Sequence, residues 1–304
     1  MKVGVNLLNF GPGVSPAALL QWAQVAEALG YHSIMISDHI ALTPDVRERY
    51  PEPFYDPFVA LSWLAGQTHA LALGTTVCVL PYRSPLQVAR MVANLDQLSG
   101  GRFIFGVGLG GVELEFAALG VPYHRRGACA DDYLAAMKVL WTNDVASYQG
   151  EFVSFDEVTG PRPAQQPHPP IWVGGRSDAA LRRTVRFGDG WHPNRFTMGW
   201  LRDTGLPRLR QMAQEAGRTT PDLCPRIRMR LTGGPLPEDG RMPGEGSLEQ
   251  VRGDLHDLQE LGAQHVLLDW YSGDLEATRH HETGWRMLSV LAEQALDLRR
   301  ESLR

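Results

Sequence analysis

Short, mostly apolar runs alternate along this chain with longer stretches in which apolar residues return every three or four positions. The short runs are Lys2 to Leu8, Ser33 to Ser37, Leu73 to Leu80, Phe103 to Val107, Ile171 to Val173, Asp189 to His192, Arg226 to Thr232 and His265 to Asp269. Such runs suit parallel strands buried on both faces. Asp189 to His192 and Arg226 to Thr232 are the least apolar, the latter carrying alternating arginines. Between the runs, stripes such as Leu19, Trp22, Val25, Ala26 and Leu29 mark helices. Ser15-Pro16 opens that helix with a cap and a first-turn proline, and Gly30 stops it. Ser84-Pro85-Leu86-Gln87 and Ser247-Leu248-Glu249-Gln250 read as capping boxes. Gly100-Gly101 ends the helix that closes at Leu98.

Strand and helix repeat every thirty to forty residues, which predicts parallel βαβ units. Eight of each in 304 residues predict a single-domain α/β fold, a (β/α)8 TIM barrel over residues 1–304. A β-hairpin is expected as an insertion at about 145–155, around Gln149-Gly150, and a mobile loop at about 233–246.

Composition removes several function classes. The chain is 43% hydrophobic and 21% charged with a net charge of −5, and no basic stripe points to nucleic acid. Cys78, Cys129 and Cys224 are far apart and odd in number, so neither a disulfide framework nor a zinc pattern is expected. The ten histidines have no metal-ligand spacing. No apolar run reaches membrane-spanning length, and the first residues read as a strand rather than a signal peptide. A cytoplasmic protein with no metal, membrane or nucleic-acid partner is the expectation.

A barrel carries its chemistry at the C-terminal ends of its strands. Those ends hold Asn6 and Asn9, Asp38-His39, Thr76 to Arg83, Gly108 to Gly111, Gly174 to Ser177, Trp191-His192 and Asp269-Trp270-Tyr271. Asp38-His39 is the sharpest pair, because histidine trades protons near neutral pH and a carboxylate can set its tautomer. Gly108-Leu109-Gly110-Gly111 lets backbone approach a flat ligand. Gly174-Gly175-Arg176-Ser177, at a strand-to-helix turn, suits either a phosphate or a plain glycine turn with a serine cap. Gly106-x-Gly108-x-x-Gly111 matches a dinucleotide fingerprint, yet its required acid, Asp131, begins a helix pattern instead of ending a strand. Phe54, Tyr55, Trp191 and Trp270 suggest an apolar or aromatic pocket.

Several stretches resemble the bacterial luciferase-like superfamily of flavin-dependent oxidoreductases, and most closely its branch using the deazaflavin F420. They are Ser37-Asp38-His39, Leu73 to Val77, Pro81-Tyr82-Arg83-Ser84-Pro85, Leu95 to Phe103, His168 to Gly175 and Asp189-Gly190-Trp191. The resemblance implies an oxidoreductase whose barrel mouth holds F420, or alternatively FMN in its reduced form FMNH2. It implies a non-proline cis peptide at Thr76-Val77 behind the ring and a proton-transfer role for His39. Asp38 would place ring or backbone donors, with Asn6 beside it. Gly108, Leu109 and Gly110 together with Gly174, Gly175, Arg176 and Ser177 would hold the ribityl chain and phosphate. At Gly111 relatives carry a glutamate or a tryptophan, so the acid is missing; Glu113 or Glu115 are the nearby replacements. Three activities fit: F420-dependent hydride transfer to or from a small organic substrate, oxygenation with FMNH2 from a separate reductase, and flavin binding without catalysis. The resemblance also implies a homodimer, while the glycine and proline clusters of Ile40 to Pro57 and Gly233 to Gly246 mark those loops as candidate lids.

Overall fold

Hydrogen bonds pass from strand to strand around a parallel barrel in the computed structural model, which describes residues 1–304 except the side chain of Ala277. In chain order the strands are β1 (Lys2–Asn6), β2 (Ser33–Ile36), β3 (Ala72–Thr75), β4 (Cys78–Val79) and β5 (Phe103–Gly108). A hairpin follows, β6 (Val145–Gln149) and β7 (Ser154–Thr159), and then β8 (Ile171–Gly174), β9 (Gly190–His192), β10 (Asp222–Leu223) and β11 (Arg226–Arg228). A small pair, β12 (Arg230–Leu231) and β13 (Glu245–Gly246), precedes β14 (His265–Asp269). Neighbours run β10-β9-β8-β5-β3-β2-β1-β14-β11, with β4 also on β5.

The two ends of that order meet in one segment. Cys224 and Arg226 donate their amides to Trp191 and Pro193 on the β9 side, while Leu223 and Pro225 accept from Gln264 and Leu267 on the β14 side. Residues 222–228 therefore form one strand position that closes the barrel. The seventh strand was expected over Arg226 to Thr232; it starts earlier and stops at Arg228. Its first half is short and interrupted by Pro225, which has no amide to donate. The third strand, expected as one run to Leu80, breaks into β3 and β4 at a cis Thr76–Val77 peptide.

The surrounding helices are α1 (Pro16–Leu29), α2 (Pro44–Arg47), α3 (Pro57–Ala65), α4 (Pro85–Leu98), α5 (Glu113–Ala118) and α6 (Arg126–Thr142). They continue with α7 (Asp178–Phe187), α8 (Met198–Trp200), α9 (Leu206–Glu215), α10 (Leu248–Glu260) and α11 (His281–Gln294). Ser15 caps α1 through the Ala18 amide, and Ser247 and Gln250 cap α10 reciprocally. Ser84 makes no such side-chain bond, so the capping box read there is corrected: Pro85, with φ preset for a helix, opens α4 alone.

The barrel wall is apolar throughout, with Val5, Ile34, Leu73, Phe105, Val173 and Leu268 fully buried. The end of the barrel opposite the strand C-termini is tied by polar groups. Asp96 accepts from the backbone and side chain of Gln165, and the Arg102 guanidinium donates to the carbonyls of Ala65, Thr68 and Leu71. The Leu95 to Phe103 stretch thus serves the fold more than the mouth.

Two histidines are sealed inside: His265, bonded to Ser33 Oγ, and His192, bonded to Thr76 Oγ1. Burial pushes them down to about 3 and about 4. Between about pH 6.5, the unfolded value, and about pH 4 the unfolded chain binds a proton at each that the folded chain does not. Stability must therefore fall on acidification across that window, by about 1.4 kcal/mol per pH unit for each histidine. Urea midpoints measured at pH 7, 6 and 5 should decline accordingly, and less steeply for His265→Asn. Identical midpoints at all three would show that both rings stay wet.

Candidate active site

A cavity of about 710 Å³ opens at the strand C-terminal ends, lined from the loops after β1, β2, β3, β5, β9 and β14 and from β4 and β11. Parallel pairing brings all these ends to one rim. Ile40 to Pro57 contributes Arg49 and Tyr50, and the 233–246 segment contributes Met242 and Pro243. The latter segment is anchored: Arg241 makes a bidentate pair with buried Asp254 of α10, 2.7 Å for each bond, and Gly244 donates to the same carboxylate.

His39 lies on the wall. Its ring stacks on Tyr50, with centroids 5.0 Å apart and planes at 25°. Its Nδ1 meets Glu115 Oε2 at 2.7 Å. Glu115 is fully buried and also accepts from the amides of Ile40 and Ala41 and from the Tyr82 hydroxyl. Burial alone would raise this carboxyl, but the bonds from His39, Ile40 and Tyr82 hold it below its ordinary value. Burial and then Glu115 push the Tyr82 phenol up, so it remains a donor. An ionised carboxylate only accepts, which puts the hydrogen on Nδ1 of His39. Nε2 has no protein partner among the described residues and is the ring's free atom.

Glu113 and Glu115 are the acids that the sequence offers for the gap at Gly111. Glu115 is the one that reaches His39; Glu113 is exposed near His124. A Cβ at Gly111 would meet nothing within 4 Å, so the space above that residue is open.

Asp38 is buried and committed to the protein. It takes both guanidinium nitrogens of Arg83, at 2.7 and 2.8 Å, and the Val79 amide at 2.9 Å. Arg83 also reaches Asp56. Asp38 thereby fixes β4, the segment that follows the cis peptide.

The floor is a chain of polar contacts. Asn6 donates to Asp269 Oδ1, and Arg226 clasps Asp269 Oδ2 at 2.7 Å. Arg226 donates as well to the Thr76 carbonyl, 2.9 Å, and to Thr76 Oγ1, 3.2 Å. His192 Nδ1 meets the Cys224 carbonyl and so carries the hydrogen, which leaves Nε2 to accept from Thr76 Oγ1 at 2.9 Å. Asn6 Oδ1 is buried without a partner beneath this floor.

Of the predicted residues, Asp38, His39, Thr76, Val77 and Gly110 line the cavity. Gly108 stands behind Val77: a Cβ there would come within 2.4 Å of Val77 Cγ2, so only glycine lets the two segments touch. Gly174 packs on the same valine. Leu109 packs against the core, and Asn6 lies under the floor. Gly175, Arg176 and Ser177 share the rim but are not in this cavity's wall. Ser177 caps α7 through the Ala180 amide, and Arg176 lies over the Trp200 ring, 5.3 Å from its centroid. The pocket aromatics differ from those expected. Trp191 and Trp270 are buried core, and neither Phe54 nor Tyr55 faces the cavity. Phe10, Tyr50, Phe196 and Tyr271 form its aromatic wall instead. Arg226 and Arg228 were missed as site residues; their two-residue spacing on a barrel strand was the signal, because alternate residues share a face.

The sequence model of the luciferase-like monooxygenase family matches residues 1–233. An uncharacterized protein of Mycobacterium tuberculosis is 34% identical over 211 residues, covering 66% of this chain and 72% of its own. The oxygenase component of a flavin-dependent trigonelline monooxygenase from Acinetobacter baylyi is 31% identical over 173 residues, 56% of this chain and 46% of that protein. Among solved structures, an F420-dependent secondary alcohol dehydrogenase in complex with an F420-acetone adduct superposes with a TM-score of 0.78. It covers 96% of this chain and 97% of its own at 16% identity, a likeness of fold alone.

Proposed function

This chain belongs to the luciferase-like monooxygenase family, and on that premise we propose that it is an F420-dependent oxidoreductase acting on a small organic substrate. The observation that carries this reading is His39, locked by Glu115 with its Nε2 left free on the cavity wall. The residues suit a flat ring. Val77, backed by Gly108 and Gly174, offers a smooth wall, and the open space at Gly111 leaves room in front of it. Thr76, Val77 and Gly110 would hold the ring, and the α7 N-terminus with Gly174 to Ser177 would hold the phosphate-bearing chain.

When bound, the reduced cofactor supplies a hydride, the electron pair of the reaction. The protein's part is the matching proton. His39 can take up and return it at Nε2, while Glu115, bonded to Nδ1, keeps the ring from rotating and leaves Nε2 as the exchanging atom. Asp38, through Arg83 and the Val79 amide, keeps the wall in place. Arg226 does the same for the Thr76 carbonyl. The aromatic residues over the cavity exclude water.

Titrating the purified protein with F420 and separately with FMN, by fluorescence, tests the cofactor. Submicromolar F420 binding with weaker FMN binding is expected, and failure of both to bind would end the reading. Glu115→Gln should keep that affinity and lower turnover by about 10-fold or more, since an amide no longer enforces the tautomer. Unchanged turnover would detach Glu115 from the chemistry.

A second reading has its own support. The Acinetobacter relative is named as the oxygenase component of a flavin-dependent monooxygenase. Tight FMNH2 binding, with turnover only when a separate reductase and oxygen are present, would favour it.

A further inference from the structure

Four arginines, Arg49, Arg195, Arg226 and Arg228, line the cavity of a chain whose net charge is −5. The two lining carboxylates do not offset them. Asp38 is neutralised by Arg83 from outside the wall, and Asp269 is consumed by Arg226. Arg49, Arg195 and Arg228 have no carboxylate partner among the described residues.

Two of the three are linked through one residue, Tyr271. Arg228 is half-buried and donates Nη1 to the Tyr271 carbonyl at 2.7 Å, and the Tyr271 hydroxyl donates to the Arg49 carbonyl at 2.9 Å. Tyr271 meets Phe10 edge-on at 5.2 Å, and Phe10 meets Tyr50, the residue on which His39 stacks, at 5.0 Å. A continuous aromatic wall therefore runs from the free histidine to Tyr271, which holds the Arg228 side chain and the Arg49 main chain, and so to two cavity arginines that lack a carboxylate partner among the described residues. These stand on the β11, β14 and β2 side of the barrel, whereas the glycine turn and helix N-terminus proposed for the phosphate follow β8. Arg195, after β9, is adjacent to that turn.

We propose that Arg228 and Arg49 recognise an oxyanion, a carboxylate or sulfonate, on a substrate with a flat apolar body that lies along Tyr271, Phe10 and Tyr50. Guanidinium suits that group because it donates two parallel hydrogen bonds to it. The inference deepens the reading of the cavity as the seat of a flavin-type ring and rests on it. The same chemistry has a second source, the acidic tail or phosphate of the cofactor, so the test separates the two.

Binding of benzoate, benzenesulfonate and benzamide to the purified protein would be measured by calorimetry, alongside F420 and FMN. The two anions should bind at least about tenfold more tightly than benzamide, the scale of a charge-assisted pair against a neutral one. Arg228→Met and Arg49→Met should each erase most of that preference while leaving both cofactor affinities within about threefold. Arg228→Lys should restore part of it. Arg49 is exposed, so its variant keeps the test open where Arg228→Met does not fold. Equal binding of benzamide and benzoate, or no binding of either anion, overturns the proposal. So does a parallel loss of cofactor affinity, which would assign the arginines to the cofactor. Failure of both cofactors with retained anion preference would remove the enzymatic reading and keep the anion site.

Discussion

Replacing His39 by alanine is expected to lower kcat/KM by about 10²- to 10⁴-fold, the span of a positioned general acid or base. Cofactor affinity should remain within a few-fold. The ring contributes to the wall mainly by stacking on Tyr50, a contact that an alanine loses without disturbing Val77 or Gly110. The large effect is assigned to Nε2 because Nδ1 is already occupied by Glu115. Steady-state kinetics with the cofactor that binds, paired with fluorescence titration, separates chemistry from binding. A variant within threefold of wild type in kcat/KM would mean that solvent delivers the proton.

Arg83→Met should have the largest effect on stability, a loss of about 3–5 kcal/mol, the usual result of stripping one member from a buried pair. Asp38 is fully buried as a side chain and would lose both guanidinium donors, keeping the Val79 amide. The Asp56 limb adds little, since that carboxylate is partly exposed. The guanidinium also lies 5.6 Å from the Phe58 ring centroid, and the loss of that contact adds about 0.5–1 kcal/mol, less than the stranded charge. The double variant Arg83→Met with Asp38→Asn should recover part of the loss, because the uncompensated charge is gone. Urea unfolding of the four proteins in the cycle measures this. A loss below about 1 kcal/mol for Arg83→Met would place Asp38 in contact with water.

Much of the fold was legible because parallel barrel strands announce themselves as uninterrupted apolar runs. β14 was read to the residue, and Gly30 and Gly100 marked helix ends that are indeed left-handed. Strand seven was harder. Its stability comes from pairing on both sides rather than from its own composition, so arginines at 226 and 228 and a proline at 225 obscured it. The site was legible in part. Position at a strand end singled out Asp38 and His39, and the structure puts both on one cavity. The pairing of His39 with Asp38, read from their adjacency, is corrected: Glu115 serves His39. Asp38 is adjacent in sequence, but the backbone turns it toward Arg83, and the partner arrives from α5, 76 residues downstream. Contacts between side chains so far apart in sequence leave no local pattern to read.

The rim segment after β12 combines two properties that seldom coincide. Met242 and Pro243 touch the chamber, yet the piece is stapled to the outside of the barrel by β13 and by Arg241 on Asp254. Its tip can change length and character between fixed anchor points without any barrel strand having to move. The molecule thus carries a replaceable visor over a cavity whose other walls are fixed by the barrel.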